Sequence, residues 1–260
     1  MDEKLILKKR LLIIYNEGIE NTQSYLKGVL ADVDNYQNFF QSMEGGAWNS
    51  KNEISYFHKP HVQDILSYIE NNADSDYFLI VFCGHGYFQD DDTIFELGSG
   101  DELPLSELRS WVRDTRSLII CDCCRVKPKA EPILESLNRR TVMFSEGGSI
   151  RDRALARMLY DKAVKNTYEK ISTIGYGASE GESAGETSKG GYYSHSLLKV
   201  ASAKSKETGS VMAQTTRTTT SFMECHHAAT PAVVKLSNDE QHPDCSTARL
   251  GVQLPFVVKF

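Results

Sequence analysis

Ser117-Leu118-Ile119-Ile120-Cys121-Asp122-Cys123-Cys124-Arg125 is an apolar run that stops abruptly in Cys-Asp-Cys-Cys-Arg. It reads as a parallel strand buried on both faces, delivering polar residues at its C-terminal end. In open α/β sheets the chemistry collects at that edge. A second stretch has the same shape: Tyr77-Phe78-Leu79-Ile80-Val81-Phe82-Cys83 runs into Gly84-His85-Gly86. Two neighbouring strands of one sheet would bring His85 beside a cysteine of the first stretch. A thiol attacks as its thiolate, and an adjacent histidine is the usual base.

Outward from these two strands, the pattern alternates strand and helix, which implies a parallel, doubly wound sheet. Arg10 to Tyr15 reads as a first buried strand. Tyr25 to Met43 reads as a helix, with apolar residues at helical spacing and Gly45-Gly46 behind it. Glu53 to Phe57 is a second strand, and Pro60 opens a second helix with Val62, Ile65, Leu66 and Ile69 inward. Residues 87 to 103 suggest a small hairpin excursion, and Pro104 to Val112 a short helix. Past Arg125 the pattern loosens: residues 126 to 170 hold ten Lys or Arg against six acids, including Arg139-Arg140. A strand is expected at Thr141 to Phe144, a flexible Gly147-Gly148, and a capping box at Ser149 to Asp152 opening a helix to about Lys165. Ile171 to Tyr176 is a further strand, Gly177 to Gly191 a loop, and Tyr192 to Ala203 a helix. The tail gives a weak helix around 211 to 224 and two strands, Ala232 to Leu236 and Gln253 to Phe260.

Composition narrows the function. The 260 residues are 40% hydrophobic and 25% charged, with net charge −6. That supports a sizeable core and argues against a nucleic-acid partner. No apolar run approaches the roughly 20 residues of a membrane span. The N-terminal MDEKLILKKRLLIIY does not read as a signal peptide. Six cysteines, three of them at 121, 123 and 124, do not form a disulfide framework, so a reducing, cytoplasmic setting is expected.

Val81-Phe82-Cys83-Gly84-His85-Gly86-Tyr87 followed by Ile120-Cys121-Asp122-Cys123-Cys124-Arg125 resembles the caspase-like cysteine proteases (peptidase C14), most closely their paracaspase and metacaspase branch. Leu26-Lys27-Gly28-Val29-Leu30-Ala31-Asp32-Val33 looks like the family's first helix. Gly175-Tyr176-Gly177-Ala178, with Glu180-Gly181 through Glu186 and Gly191-Tyr192-Tyr193, looks like its substrate-binding strand and loop. The resemblance covers most of residues 10 to 205, less the 126–170 segment. It implies a caspase-like α/β fold, a mostly parallel sheet of about six strands with helices on both faces. It implies one domain over 1–260, with 126–170 a processing or insert segment and 206–260 its C-terminal part. It makes His85 the general base and Cys124 the nucleophile, with the backbone N–H groups of Gly86 and Cys124 as oxyanion hole. Asp32, Asp122 and Glu186 match acidic pocket positions, which would select Arg or Lys before the scissile bond. The Gln-Ala-Cys signature of caspases is missing, and Arg125-Val126 stands where metacaspases have His-Ser.

Other readings stand beside these. Cys83, Cys121 and Cys123 read as core thiols. Cys123 is the alternative nucleophile, although strand alternation sends it to the face opposite Cys124. Asp32 would otherwise be a solvated helix residue, and Glu180 and Glu182 compete with Glu186. Asp90, Asp91 and Asp92 read as an acidic hairpin tip, so Ca²⁺ dependence is not indicated. Cys225-His226-His227 with His242 and Cys245 fits no standard zinc spacing, so neither metal nor cofactor is expected. The expected partners are protein or peptide substrates with a basic residue before the cut, and an activating partner or second copy. The basic segment offers self-processing sites, Arg140 first and then Arg151 and Arg153. The rival functions are a catalytically idle interaction scaffold and a metal- or redox-responsive regulator.

Overall fold

The computed structural model describes residues 7–98, 100–126, 149–207, 219–247 and 251–259. In chain order its elements begin with β1 (Lys9–Asn16), α1 (Val29–Gln41), β2 (Ile54–His58), α2 (Val62–Asn71) and β3 (Tyr77–Gly84). Next come β4 (Gly86–Gln89), β5 (Asp92–Gly98), β6 (Asp101–Pro104), α3 (Leu105–Trp111) and β7 (Arg116–Asp122). Then follow α4 (Ile150–Lys165), β8 (Ser172–Tyr176), β9 (Glu186–Thr187), β10 (Gly190–Gly191) and α5 (Tyr192–Ser205). The last are β11 (Thr219–Ser221), α6 (Phe222–Leu236), β12 (Asp244–Thr247) and β13 (Pro255–Val258).

The central sheet has six strands in the order β12-β8-β7-β3-β1-β2. All its pairs are parallel except β12 against β8. Every residue of β3 is buried, as an uninterrupted apolar run predicts. Alternation divides the side chains cleanly. Leu11, Ile13, Leu79, Val81, Leu118 and Ile120 meet α1, α4, α5 and α6 on one face. Leu12, Ile14, Phe78, Ile80, Phe82 and Ile119 meet α2, α3 and the β5–β6 region on the other. Helices therefore cover both faces, as expected of a doubly wound sheet.

Three expectations need correction. The first helix starts at Val29 rather than Tyr25, because Gly28 is its N-cap and residues 17–28 form a loop. The 87–103 excursion is a three-stranded antiparallel sheet, β4-β5-β6, with Asp90 and Asp91 at positive φ in its first turn. Ala232 to Leu236 is not a strand but the end of α6. There the helical spacing of Phe222, Cys225, His226, Ala229 and Val233 buries a full stripe, which outweighs the local β preference of adjacent valines. The weak helix around 211–224 overlaps α6 at its end, and β13 falls within the expected Gln253–Phe260 strand. Ser149 caps α4 as anticipated, its Oγ accepting from Asp152 N–H at 3.2 Å. Thr141–Phe144, Arg139-Arg140 and Gly147-Gly148 lie outside the described residues.

One charged contact fastens α4 to the edge of the sheet opposite the strand C-termini. Lys9 is fully buried in β1, and its Nζ donates to Asp161 of α4 at 2.5 Å. The ammonium also lies 4.6 Å from the Trp48 ring centroid and 5.1 Å from that of Tyr160. Burial pushes the Lys9 pKa down and that of Asp161 up. Desolvation thus opposes the pair, and each charge offsets it for the other, with Arg157 also 3.9 Å from Asp161. Asp161→Ala should lower the unfolding free energy by roughly 3 kcal/mol, read from urea denaturation. The double replacement Lys9→Met with Asp161→Leu should recover most of that loss.

Candidate active site

The pairing of β3 with β7 sets the frame. Cys83 is opposite Asp122 in register, and His85 and Cys124 each lie two residues further along. Both residues singled out in the sequence thus follow closely on neighbouring strand ends. Alternation sorts the cysteines: Cys121 and Cys123 enter the core with Phe82 and Phe95, and Cys123 is only 2% exposed. A Cβ added at Gly86 would come 3.0 Å from the Cys123 sulfur, so that thiol is packed under the base of β4. Cys124 is half-buried and free.

His85 is held from behind. Its Nε2 lies 2.7 Å from the Ser24 carbonyl oxygen. A carbonyl only accepts, so Nε2 carries the proton and Nδ1 is left as the basic nitrogen. The 17–28 loop approaches closely because of Gly18, at φ +82°, where a Cβ would meet both Ser24 O and His85 Nε2. Asn16 steadies that loop: its Oδ1 accepts from Gly18 N–H at 3.0 Å while its Nδ2 donates to Glu96 O at 2.8 Å. Glu96 N–H in turn donates to the His85 carbonyl at 3.1 Å.

Asp32, Asp122 and Glu186 come from three parts of the chain and converge on Gly190-Gly191. Asp32 Oδ2 accepts from Gly191 N–H at 2.8 Å, and Asp122 Oδ2 from Ser194 N–H at 3.0 Å. Glu186 Oε2 accepts from Gly28 N–H at 3.0 Å. A Cβ at Gly190 would overlap Asp32 Oδ1, and one at Gly191 would overlap Asp122 Oδ2. Asp32 Oδ1 is buried without a hydrogen-bond partner. Burial raises the pKa of all three carboxyls, with the Asp122 charge adding to the effect on Asp32 and Glu186. Glu186 is pushed to about 7. The two competing acids are engaged elsewhere: Glu180 pairs with Arg125 at 3.3 Å and Glu182 with His242 at 2.8 Å.

The nucleophile candidate lies close enough to this cluster to feel the charges of Asp122 and Glu186. Cys124 Sγ accepts from Ala184 N–H at 3.3 Å. Burial raises its pKa, the Ala184 donor opposes that, and the charges of Asp122 and Glu186 reinforce it. Sequence reasoning treated Arg125 only as a departure from a motif. It is buried, stacked between Tyr176 and Phe88 with Cζ at 4.1 and 5.0 Å from their centroids. Its Nε donates to Thr93 Oγ1 at 2.9 Å and its backbone pairs with Gly181 and Glu182. The signal was present, since an arginine directly after a buried strand must find partners.

The remaining candidates are dispersed. Arg151 and Arg153 are in the first turn of α4, where Arg153 Nη2 donates to Gln41 O at 2.9 Å. Arg140 is outside the described residues. Tyr193 Oη and His226 Nδ1 are 2.8 Å apart, and His242 is occupied by Glu182. Among the described residues, no group of three or more His, Cys, Asp or Glu is placed to hold a metal ion. Among them, too, no helix is long and apolar enough to cross a membrane.

A protein-family model described as the caspase domain, peptidase C14, matches residues 8–254. Among solved structures, the crystal structure of caspase-1 from Spodoptera frugiperda is similar to this chain with a TM-score of 0.56. The identity is 11%, over 92% of this chain and 87% of that one. No curated protein matches.

The three raised carboxyls fix the sign of a pH effect. Their folded pKa values exceed the unfolded ones, so between the two values the folded protein holds protons that the unfolded chain has released. The part that Glu186 contributes is present below its unfolded value of 4.5 and is lost as pH rises through about 7. From about pH 5 to about pH 8, wild type should lose more unfolding free energy than Glu186→Gln. Denaturant titrations of both proteins across that range read the difference.

Proposed function

The chain belongs to the caspase-domain family of cysteine-type endopeptidases, and from that premise we propose that it cuts protein substrates after Arg or Lys through His85 and Cys124. The observation that carries this reading is the convergence of three carboxyls on Gly190-Gly191 with Asp32 Oδ1 buried and unbonded, which we read as the floor of a substrate recess beside Cys124. A buried acceptor without a donor is costly. A guanidinium or ammonium entering the recess would supply the missing donor and the missing charge together.

The mechanism follows from the protonation states. With Nε2–H given to Ser24 O, His85 Nδ1 accepts the Cys124 proton. The thiolate attacks the scissile carbonyl, and the backbone N–H groups of Gly86 and Cys124 stabilise the oxyanion. The imidazolium then protonates the leaving amine, and water resolves the acyl-enzyme. Ala184 N–H, at 3.3 Å from the sulfur, favours the thiolate. A cationic substrate side chain also offsets the charges of Asp122 and Glu186 that hold the thiol protonated. Substrate binding thereby activates the nucleophile.

Cys124→Ala and His85→Ala should each abolish hydrolysis of Arg- and Lys-containing peptides while keeping the far-UV spectrum of wild type. Activity retained in Cys124→Ala and lost in Cys123→Ala would mean that the other thiol attacks. Asp122→Asn should cost roughly 2–5 kcal/mol of kcat/KM for Arg substrates, the range for breaking a desolvated charge pair. A profile led by Asp or by apolar side chains at that substrate position would defeat the acidic-recess reading.

Self-processing belongs to the same proposal. A protease engages an extended substrate backbone, and Arg151 and Arg153 are helical, which leaves Arg140 as first choice. Incubated wild-type protein should acquire a new N-terminus at residue 141, and Cys124→Ala should not. Wild type that remains intact yet fully active would rule this cut out as the trigger, leaving a partner or a second copy for that role.

A further inference from the structure

Gln241 lies in the connection between α6 and β12 and is 1% exposed. Its carboxamide spans two separate backbone groups of the 177–191 loop. Nε2 donates to Gly177 O at 2.6 Å, and Oε1 accepts from Gly185 N–H at 2.9 Å. These partners leave one amide orientation, because one group only accepts and the other only donates. The backbone that carries it is also held, since the Gln241 main-chain N–H donates to Ser237 Oγ at 3.0 Å.

The two groups that it joins differ in what they are fixed to. Gly177 N–H donates to Cys121 O at 2.8 Å, so Gly177 is an extension of the rigid sheet. Gly185 sits between Ala184, whose N–H points at Cys124 Sγ, and Glu186, whose carboxylate reaches Gly28 N–H. Gln241 thus ties the segment carrying both groups to β7, the strand that ends two residues before Cys124. We propose that Gln241 is a positioning residue for this peptidase: its carboxamide holds the Ala184 N–H on the Cys124 sulfur and Glu186 in the acidic recess. The inference rests on Cys124 being the nucleophile, as proposed above.

The test uses the full chain as wild type, Gln241→Ala, Gln241→Glu and Cys124→Ala. The pH dependence of iodoacetamide alkylation is followed on the Cys124 peptide by mass spectrometry, alongside kcat and KM on an Arg peptide. Gln241→Ala should raise the alkylation pKa of Cys124 by about one unit or more, the scale of one lost hydrogen bond to a charged group. It should lower kcat/KM roughly tenfold or more. Gln241→Glu keeps the acceptor for Gly185 but sets a carboxylate against the Gly177 carbonyl. Its kcat/KM relative to wild type should therefore recover as pH falls and the new carboxyl gains a donor proton. A merely structural side chain would not produce that acid rescue.

Wild-type alkylation profiles and kcat/KM in both Gln241 variants would overturn the proposal. So would a loss that follows the melting temperature alone, with the alkylation pKa unmoved and no acid rescue. If Gln241→Ala does not fold, the near-isosteric Gln241→Glu decides the matter by the same two readouts. Activity surviving in Cys124→Ala would instead overturn the assignment of the nucleophile. The alkylation comparison would still report whether Gln241 sets the environment of that sulfur.

Discussion

Strands buried on both faces cannot slide. β3 and β7 pair in parallel at the centre of the sheet with apolar side chains above and below. A slip of one residue would send each set of side chains to the wrong core. That constraint extends past the last apolar residue. With Cys83 opposite Asp122, the chain leaves both strands side by side at the sheet edge, two residues before His85 and Cys124. His85 and Cys124 are therefore placed by the packing of residues that perform no chemistry. The loops complete the arrangement: Gly18 admits the Ser24 carbonyl against His85, and Arg125 anchors the turn after β7 to the 177–191 loop.

Gathering three carboxyls around one pair of glycines is unfavourable, and helix N-termini make it tolerable. Asp32 is in the first turn of α1, and Glu186 accepts from Gly28, the residue that caps the same helix. Asp122 accepts from Ser194 in the first turn of α5, and Asp32 accepts from Gly191, the N-cap of α5. Each acid thus takes a backbone N–H at or beside the positive end of a helix dipole. The glycines at 28, 190 and 191 keep the approach open, since a Cβ at any of them would strike a carboxylate oxygen. The opposition remains incomplete, because all three pKa values still stand above their ordinary range.

Legibility in the sequence followed the range of the forces involved. The parallel core could be read because apolar runs such as Tyr77–Cys83 report their own burial. The order of Cys121 to Cys124 on opposite faces could be read from strand periodicity alone. Asp32 and Glu186 could be tied to Asp122 only through a family resemblance, since the residues are 154 apart in sequence (Asp32 to Glu186). Two features were missed for different reasons. The strand expected at Ala232–Leu236 is helix, because the valines read locally while the buried stripe of α6 runs back to Phe222. Gln241 gave no signal, because a glutamine in a polar stretch looks like any surface residue. Its role depends on backbone groups about 60 positions away, and only the closed fold brings them within reach.

On the proposed reading, recognition and activation are the same electrostatic event. In the resting protein the Cys124 thiol is raised by burial and by the charges of Asp122 and Glu186. The acids that would select a basic side chain thus also suppress the thiolate while the recess is empty. A cation beside these acids offsets the charge contribution. It neutralises the field at the sulfur and supplies the donor that Asp32 Oδ1 lacks. A neutral or acidic side chain at that position would do neither, so it would face weak binding and a protonated nucleophile together. Discrimination therefore extends beyond the binding term into kcat. The Ala184 N–H contributes in the same direction. It does so without substrate, so the thiolate population is set jointly by a permanent donor and a substrate-borne charge.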